Sequence, residues 1–168
     1  WATNYAGHFA VEAQKAGYLP PPGLLDQWTA FQRRRARAWV PGEGQQELTQ
    51  AYRLFTLALA GTPELPAMNQ LRERASLPVT AKWRLAAAYQ LAGQPEAARA
   101  LATQGPVTIQ PYRELSFTYG SDLRDRAMVL EAVVLLNLAE HVGPLAKSLS
   151  ESLSRNTWLS TQETAYAL

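Results

Sequence analysis

The sequence predicts an all-α chain of antiparallel helical hairpins, and three observations lead there. Apolar residues recur at helical spacing along most of the chain, strand-like alternation is nearly absent, and short Gly/Pro links punctuate the helical stretches. With 168 residues, 47% hydrophobic and 18% charged, there is enough apolar chain for one domain, 1–168, with a sizeable core.

A first helix is expected over about Thr3–Gly17, with Tyr5, Phe9, Ala13 and Ala16 on one stripe and Gly17 as its stop. Pro20 to Pro22 form a rigid link to a second, about Leu24–Trp39, apolar at Leu24, Leu25, Trp28, Phe31 and Ala38. Pro41, Gly42 and Gly44 mark a turn. The third, about Gln45–Ala60, carries a wide stripe of Leu48, Ala51, Tyr52, Phe55, Ala58 and Leu59. AGTPE at 60–64 recurs as AGQPE at 92–96, a period of 32 residues, with Gly for a left-handed cap and Pro for the next first turn. These marks flank short helices at about 64–75, 79–92 and 95–103.

The run from Gly105 to Ser121 breaks the period with two prolines, β-branched residues and aromatics, as functional or interfacial loops do. A long helix follows at about 122–140, apolar nearly all round and therefore buried on several sides. Gly143-Pro144 is expected to start another, with Leu145, Leu149 and Leu153 on one face. Ser160 and Glu163 have capping-box spacing and open a last helix that stops two turns in, at Leu168. With that ending, and an opening WATNYAGHF that has neither Met nor a signal-like stretch, the chain is expected to be a segment of something larger.

A net charge of +2 makes no demand for nucleic acid or anionic lipid, and no apolar run reaches the roughly 18 residues of a membrane span. With no cysteine there is no disulfide, thiolate metal site or Cys nucleophile. In SDLRDR at 121–126, Asp122 and Asp125 flanked by Arg124 and Arg126 have the makings of a tuned carboxylate pair. The favoured reading is structural: a Ser121 cap, acidic residues in a first turn, and an Asp122–Arg126 pair. The aromatic loop before it offers a contact surface. RRRAR at 33–37 reads as a solvated helix end, and His8 as a packing or rim residue. His141, expected to end a helix, is too far away to complete a metal site with His8. The five tryptophans, spread one to an element, read as core and inter-helix packing. No phosphate-loop, dinucleotide, zinc-protease or nucleophile-elbow motif is present, so the residues indicate no active site and no cofactor.

TNYAGHFAVEAQKAGY at 3–18, AYRLFTLALAG at 51–61, TYGSDLRDRAMVLEAVVLL at 118–136 and WLSTQETAYAL at 158–168 resemble bacterial alpha-2-macroglobulin-like proteins. The resemblance covers the whole chain and points to the thioester-containing helical domain shared with the complement family. It implies the latter part of an α/α toroid, in which inner and outer helices alternate, and a protein that traps proteases as an endopeptidase inhibitor. It also implies a periplasmic or cell-surface setting, with neighbouring domains and target proteases as partners. The family's Cys-Gln thioester has no counterpart here: the motif lies upstream of Trp1, or the protein belongs to a branch lacking it. No catalytic residue carries over. Tyr112, Tyr119, Asp122 and Arg124 are the candidate interdomain contacts.

The alternative is a tetratricopeptide-like interaction scaffold, which WRLAAAYQLAGQPEAARAL at 83–101 fits locally. The missing third copy and the break at 105–121 argue against it. A toroidal enzyme would need a metal motif or paired central acids, for which Asp122 and Asp125 are poor substitutes.

Overall fold

The computed structural model describes residues 1–42, 46–103 and 107–168. The expected Gly44 turn, the start of the third helix at Gln45 and the loop's first residue, Gly105, lie outside these. Nine helices and no strand occur among the described residues: α1 (Ala2–Lys15), α2 (Leu24–Arg37), α3 (Gln46–Leu59), α4 (Leu65–Arg72), α5 (Val79–Leu91), α6 (Pro95–Ala102), α7 (Asp122–Leu135), α8 (Ala139–Leu153) and α9 (Thr161–Ala167).

The odd helices pack in chain order as an inner row, and each of α2, α4, α6 and α8 lies against the helix before it as an outer layer. This is the hairpin arrangement of an α/α toroid. The first inner helix, with Trp1 just before it, meets the last across the middle: the Trp1 indole N–H donates to Gln162 at 3.1 Å, and the Tyr5 and Tyr166 rings are 5.8 Å apart.

Four inner helices end in the same way. Residues with φ of +91°, +74°, +71° and +56°, at Gly17, Gly61, Gly93 and Asn137, turn the chain out of α1, α3, α5 and α7. At each, the following N–H reaches back to a carbonyl of the helix's last turn, as from Thr62 to Leu57 and from Gln94 to Tyr89, both at 2.9 Å. The AGTPE and AGQPE marks are therefore two copies of one turn. They differ in the next step: Pro95 opens α6 itself, whereas Pro63 precedes the Glu64 cap and Pro66 takes the first turn of α4.

The core is larger and differently faced than the periodicity suggests. Every α5 residue from Trp83 to Tyr89 is buried, because this helix is flanked by α3 and α7 and covered by α4 and α6. On α1 the buried residues are Asn4, Gly7, Ala10 and Val11, and Phe9 of the expected stripe is 73% exposed. Gly7 explains the shift: a Cβ there would fall about 2 Å from the Trp28 ring, so α2 can approach only on this face. Trp28 is fixed there by donating to the Thr3 carbonyl at 3.1 Å.

Two boundaries also move. Helix α7 stops at Leu135 rather than near 140, because Asn137 adopts the left-handed turn, and α8 starts at Ala139. Pro144 thus lies inside α8 instead of opening it, and His141 stands in its first turn. Trp158 is 73% exposed and is not a packing residue.

Candidate functional site

The inner row encloses a line of polar and aromatic groups to which all five of its helices contribute. Arg84 of α5, fully buried, binds Glu131 of α7 at 2.5 Å. Its Nε and Nη2 have no hydrogen-bond partner, but the guanidinium lies 4.4 Å from the Phe55 ring centre and 5.8–5.9 Å from those of Tyr166 and Tyr52. Ring faces carry negative potential and so take the place of acceptors. Burial pushes Arg84 down, yet Glu131 outweighs this and holds it above its ordinary value. His8 of α1 sits 2.9 Å from the Tyr52 hydroxyl, and burial, aided by Arg84, drops its pKa to about 4. Burial raises Tyr52, and brings Tyr166 up to about 12. The charge at this centre is paired with Glu131 and ringed by aromatic side chains. It reads as a packed polar core.

A second cluster lies at the start of α7. Ser121 caps the helix by accepting from the Arg124 N–H at 3.2 Å, as its sequence position predicts. Asp122 pairs with Arg126 at 2.8 Å, four residues on. Asp125 turns the other way: it accepts from Arg124 at 2.7 and 2.9 Å, from Thr80 of α5 at 2.7 Å and from the Tyr112 hydroxyl at 2.9 Å. The two aspartates are therefore separately neutralised and do not act as a pair. Arg124, fully buried, also donates to the Thr118 carbonyl at 2.8 Å and lies 4.6 Å from the Trp1 ring centre.

Arg124 thereby anchors a small hairpin. Arg113 bridges to Ser121, the Glu114 N–H donates to Gly120 at 2.8 Å, and the Thr118 hydroxyl donates to Glu114 at 2.7 Å. Gly120 is required where the chain passes the hub, since a Cβ would come within 2.6 Å of both Arg124 and the Tyr112 hydroxyl. The far side of the hairpin faces solvent: Leu115 and Phe117 are each 82% exposed and Tyr119 is 59% exposed. Phe117 and Tyr119 hold φ of +48° and +50°, a region costly for aromatic residues. Arg113 joins the hairpin to the last helix through Glu163 at 3.0 Å and lies 5.6 Å from the Trp158 ring centre.

Of the four candidate contacts, then, Tyr119 lies on the displayed surface, Tyr112 and Asp122 on its flank, and Arg124 beneath it. Sequence reasoning missed Leu115 and Phe117, whose place beside Tyr119 in a loop free of helical period was the available signal, and it missed the exposed Trp158, for which there was none. RRRAR is not merely solvated, because Arg33 and Arg37 both grip the buried Glu64 carboxylate, at 2.5 and 2.8 Å. Among the described residues no group of three His, Asp or Glu is placed to hold a metal, and no helix is long and apolar enough to cross a membrane.

Known structures share this arrangement. Salmonella alpha-2-macroglobulin reacted with methylamine matches 99% of the chain at 26% identity and a TM-score of 0.83. The chain resembles bacterial alpha-2-macroglobulin over nearly its whole length. Native Escherichia coli alpha-2-macroglobulin has the same fold over 99% of the chain, at 23% identity and a TM-score of 0.82. An E. coli structure running from domain MG7 to the C-terminus gives 0.79 at 23% identity. This chain spans only 12%, 11% and 28% of those chains, respectively. No protein-family model and no curated protein matches it. The tetratricopeptide alternative is not favoured by these matches.

Proposed function

We propose that this chain is a non-catalytic scaffold and docking segment of a long alpha-2-macroglobulin-like endopeptidase inhibitor of the bacterial periplasm or cell surface. The observation that carries this reading is the whole-chain likeness to the Salmonella protein, of which the chain matches 12%. Its direct partners are neighbouring domains of the same protein, and the target protease meets the assembly as a whole. The hairpin at 112–121 is the docking element. Three large apolar side chains held outward on a braced and strained backbone are costly unless something covers them. Having no cysteine, the chain supplies no thioester sulfur of its own.

The test uses the full-length protein incubated with elastase. An enclosed protease still cleaves a small peptide substrate but no longer reaches a large protein substrate. That split is the expected result, and elastase that cleaves both as freely as before removes the inhibitor reading. Methylamine treatment of the same protein, read as released thiol, decides whether a thioester takes part.

A further inference from the structure

Arg53 breaks a rule that the other buried arginines keep. Arg84 has Glu131, and Arg124 has Asp125. Arg53, 8% exposed on α3, has no carboxylate among the described residues. Its Nε donates to the side-chain Oε1 of Gln32 at 3.0 Å and its Nη1 to the side-chain Oε1 of Gln50 at 2.6 Å. Both acceptors are neutral and both are buried, Gln32 at 1% and Gln50 at 0% exposure. Gln50 is itself fixed by donating to the Ala36 carbonyl at 2.9 Å. The two amides therefore hold the guanidinium in place without neutralising it.

A second cation lies close by. Arg35 follows Gln32 by three residues on α2, the spacing that puts two side chains on the same helix face. Burial, reinforced by Arg35, brings the Arg53 pKa down to about 10, the direction expected for a cation without a counter-charge. Buried cations in folded proteins are paired, and a desolvated, oriented guanidinium with an unused edge is what carboxylates and other oxyanions bind.

We propose that Arg53 and Arg35, framed by Gln32 and Gln50, form an oxyanion site that takes a carboxylate-like group. The group comes either from a free small anion or from an acidic side chain of an adjoining polypeptide. This inference is independent of the inhibitor reading.

The experiment is thermal unfolding of the chain in acetate and in inorganic sulfate, with chloride at matched ionic strength as the control. A saturable rise in melting temperature with either oxyanion, absent in Arg53→Met and at least tenfold weaker in Arg35→Gln, is the expected result and identifies a free-ion site. An acidic peptide that shifts the wild type at concentrations where acetate and sulfate do not would identify the side-chain source. Arg53→Met, which removes an uncompensated charge, should also be at least as stable as wild type without added oxyanion. Should Arg53→Met fail to fold, the exposed Arg35→Gln variant still decides the matter. Identical curves in all three anions and with the peptide, or shifts retained in Arg35→Gln, would overturn the proposal.

Discussion

The Thr80 hydroxyl donates to the Asp125 carboxylate at 2.7 Å, tying α5 to α7 at the end of the inner row where the displayed hairpin is rooted. The same carboxylate receives Arg124 and Tyr112, so one side chain holds two helices and a loop. Asp125→Asn leaves Arg124 buried without a counter-charge and is expected to cost about 3–5 kcal/mol. Urea denaturation measures this, and a double Arg124→Met, Asp125→Asn variant should recover part of the loss.

The capping box at α9 is complete, with Ser160 accepting from the Glu163 N–H at 3.2 Å and Glu163 accepting from the Ser160 N–H at 2.6 Å. Ser160→Ala should cost about 1 kcal/mol. Glu163→Gln should cost more, since it also weakens the Arg113 bridge. Burial pushes the Glu163 carboxyl up, but the Ser160 N–H, the serine hydroxyls and Arg113 outweigh it and hold it below its ordinary value. Its stabilisation is therefore present above the unfolded-state value and lost as pH falls through the lower folded one. The acid limb of a stability–pH curve should be shallower in Glu163→Gln.

His8 gives a separate pH signature. Its folded pKa of about 4 lies below the ordinary 6.5, so the unfolded chain takes up the proton first. Stability should decline as pH drops from 6.5 towards 4, then level off for this group. Histidine NMR titration reads the pKa directly, and His8→Gln should lose this part of the slope.

Gly143 lies inside α8 directly before Pro144. A proline ring disfavours the helical region for a preceding residue that carries a Cβ, so Gly143→Ala should lower stability, seen as a decreased denaturation midpoint. An increase would mean that the ring of Pro144 does not crowd this position.

Phe117 is strained and exposed, so Phe117→Gly should stabilise the isolated chain by about 1 kcal/mol. In the full-length protein it should loosen interdomain packing, measured as faster limited proteolysis around the hairpin. Paired Tyr112→Ala and Tyr119→Ala variants that alter neither folding nor interdomain association would remove the hairpin's docking role.

What the sequence made legible was whatever is written locally. The Ser121 and Ser160 caps, the Asp122–Arg126 pair and the glycine turns at 61 and 93 each depend on residues a few positions apart. What it hid depends on distant partners. The face that α1 buries is chosen by Gly7 meeting Trp28 of the next helix. The early end of α7 rests on Asn137 adopting a turn that glycine makes elsewhere. The Arg84–Glu131 contact joins residues on helices separated by α6 and the long loop, and no periodicity signals it. Among the candidate contacts, the loop's aromatic content pointed to the right segment, but only the fold separates the displayed Phe117 from the buried Arg124.

Trp1 bonds to Gln162, and Tyr166 lies against Tyr5, so the middle of this structure is filled by the first and last turns together. A ribosome delivers the two partners of the Trp1–Gln162 bond 161 residues apart. Until α9 emerges, Arg84 lacks the Tyr166 ring and Arg113 lacks Glu163, and the nascent helices wait with an unfinished centre. Chains arrested before Ser160 should therefore stay protease-sensitive, and adding residues 160–168 should bring resistance in a single step.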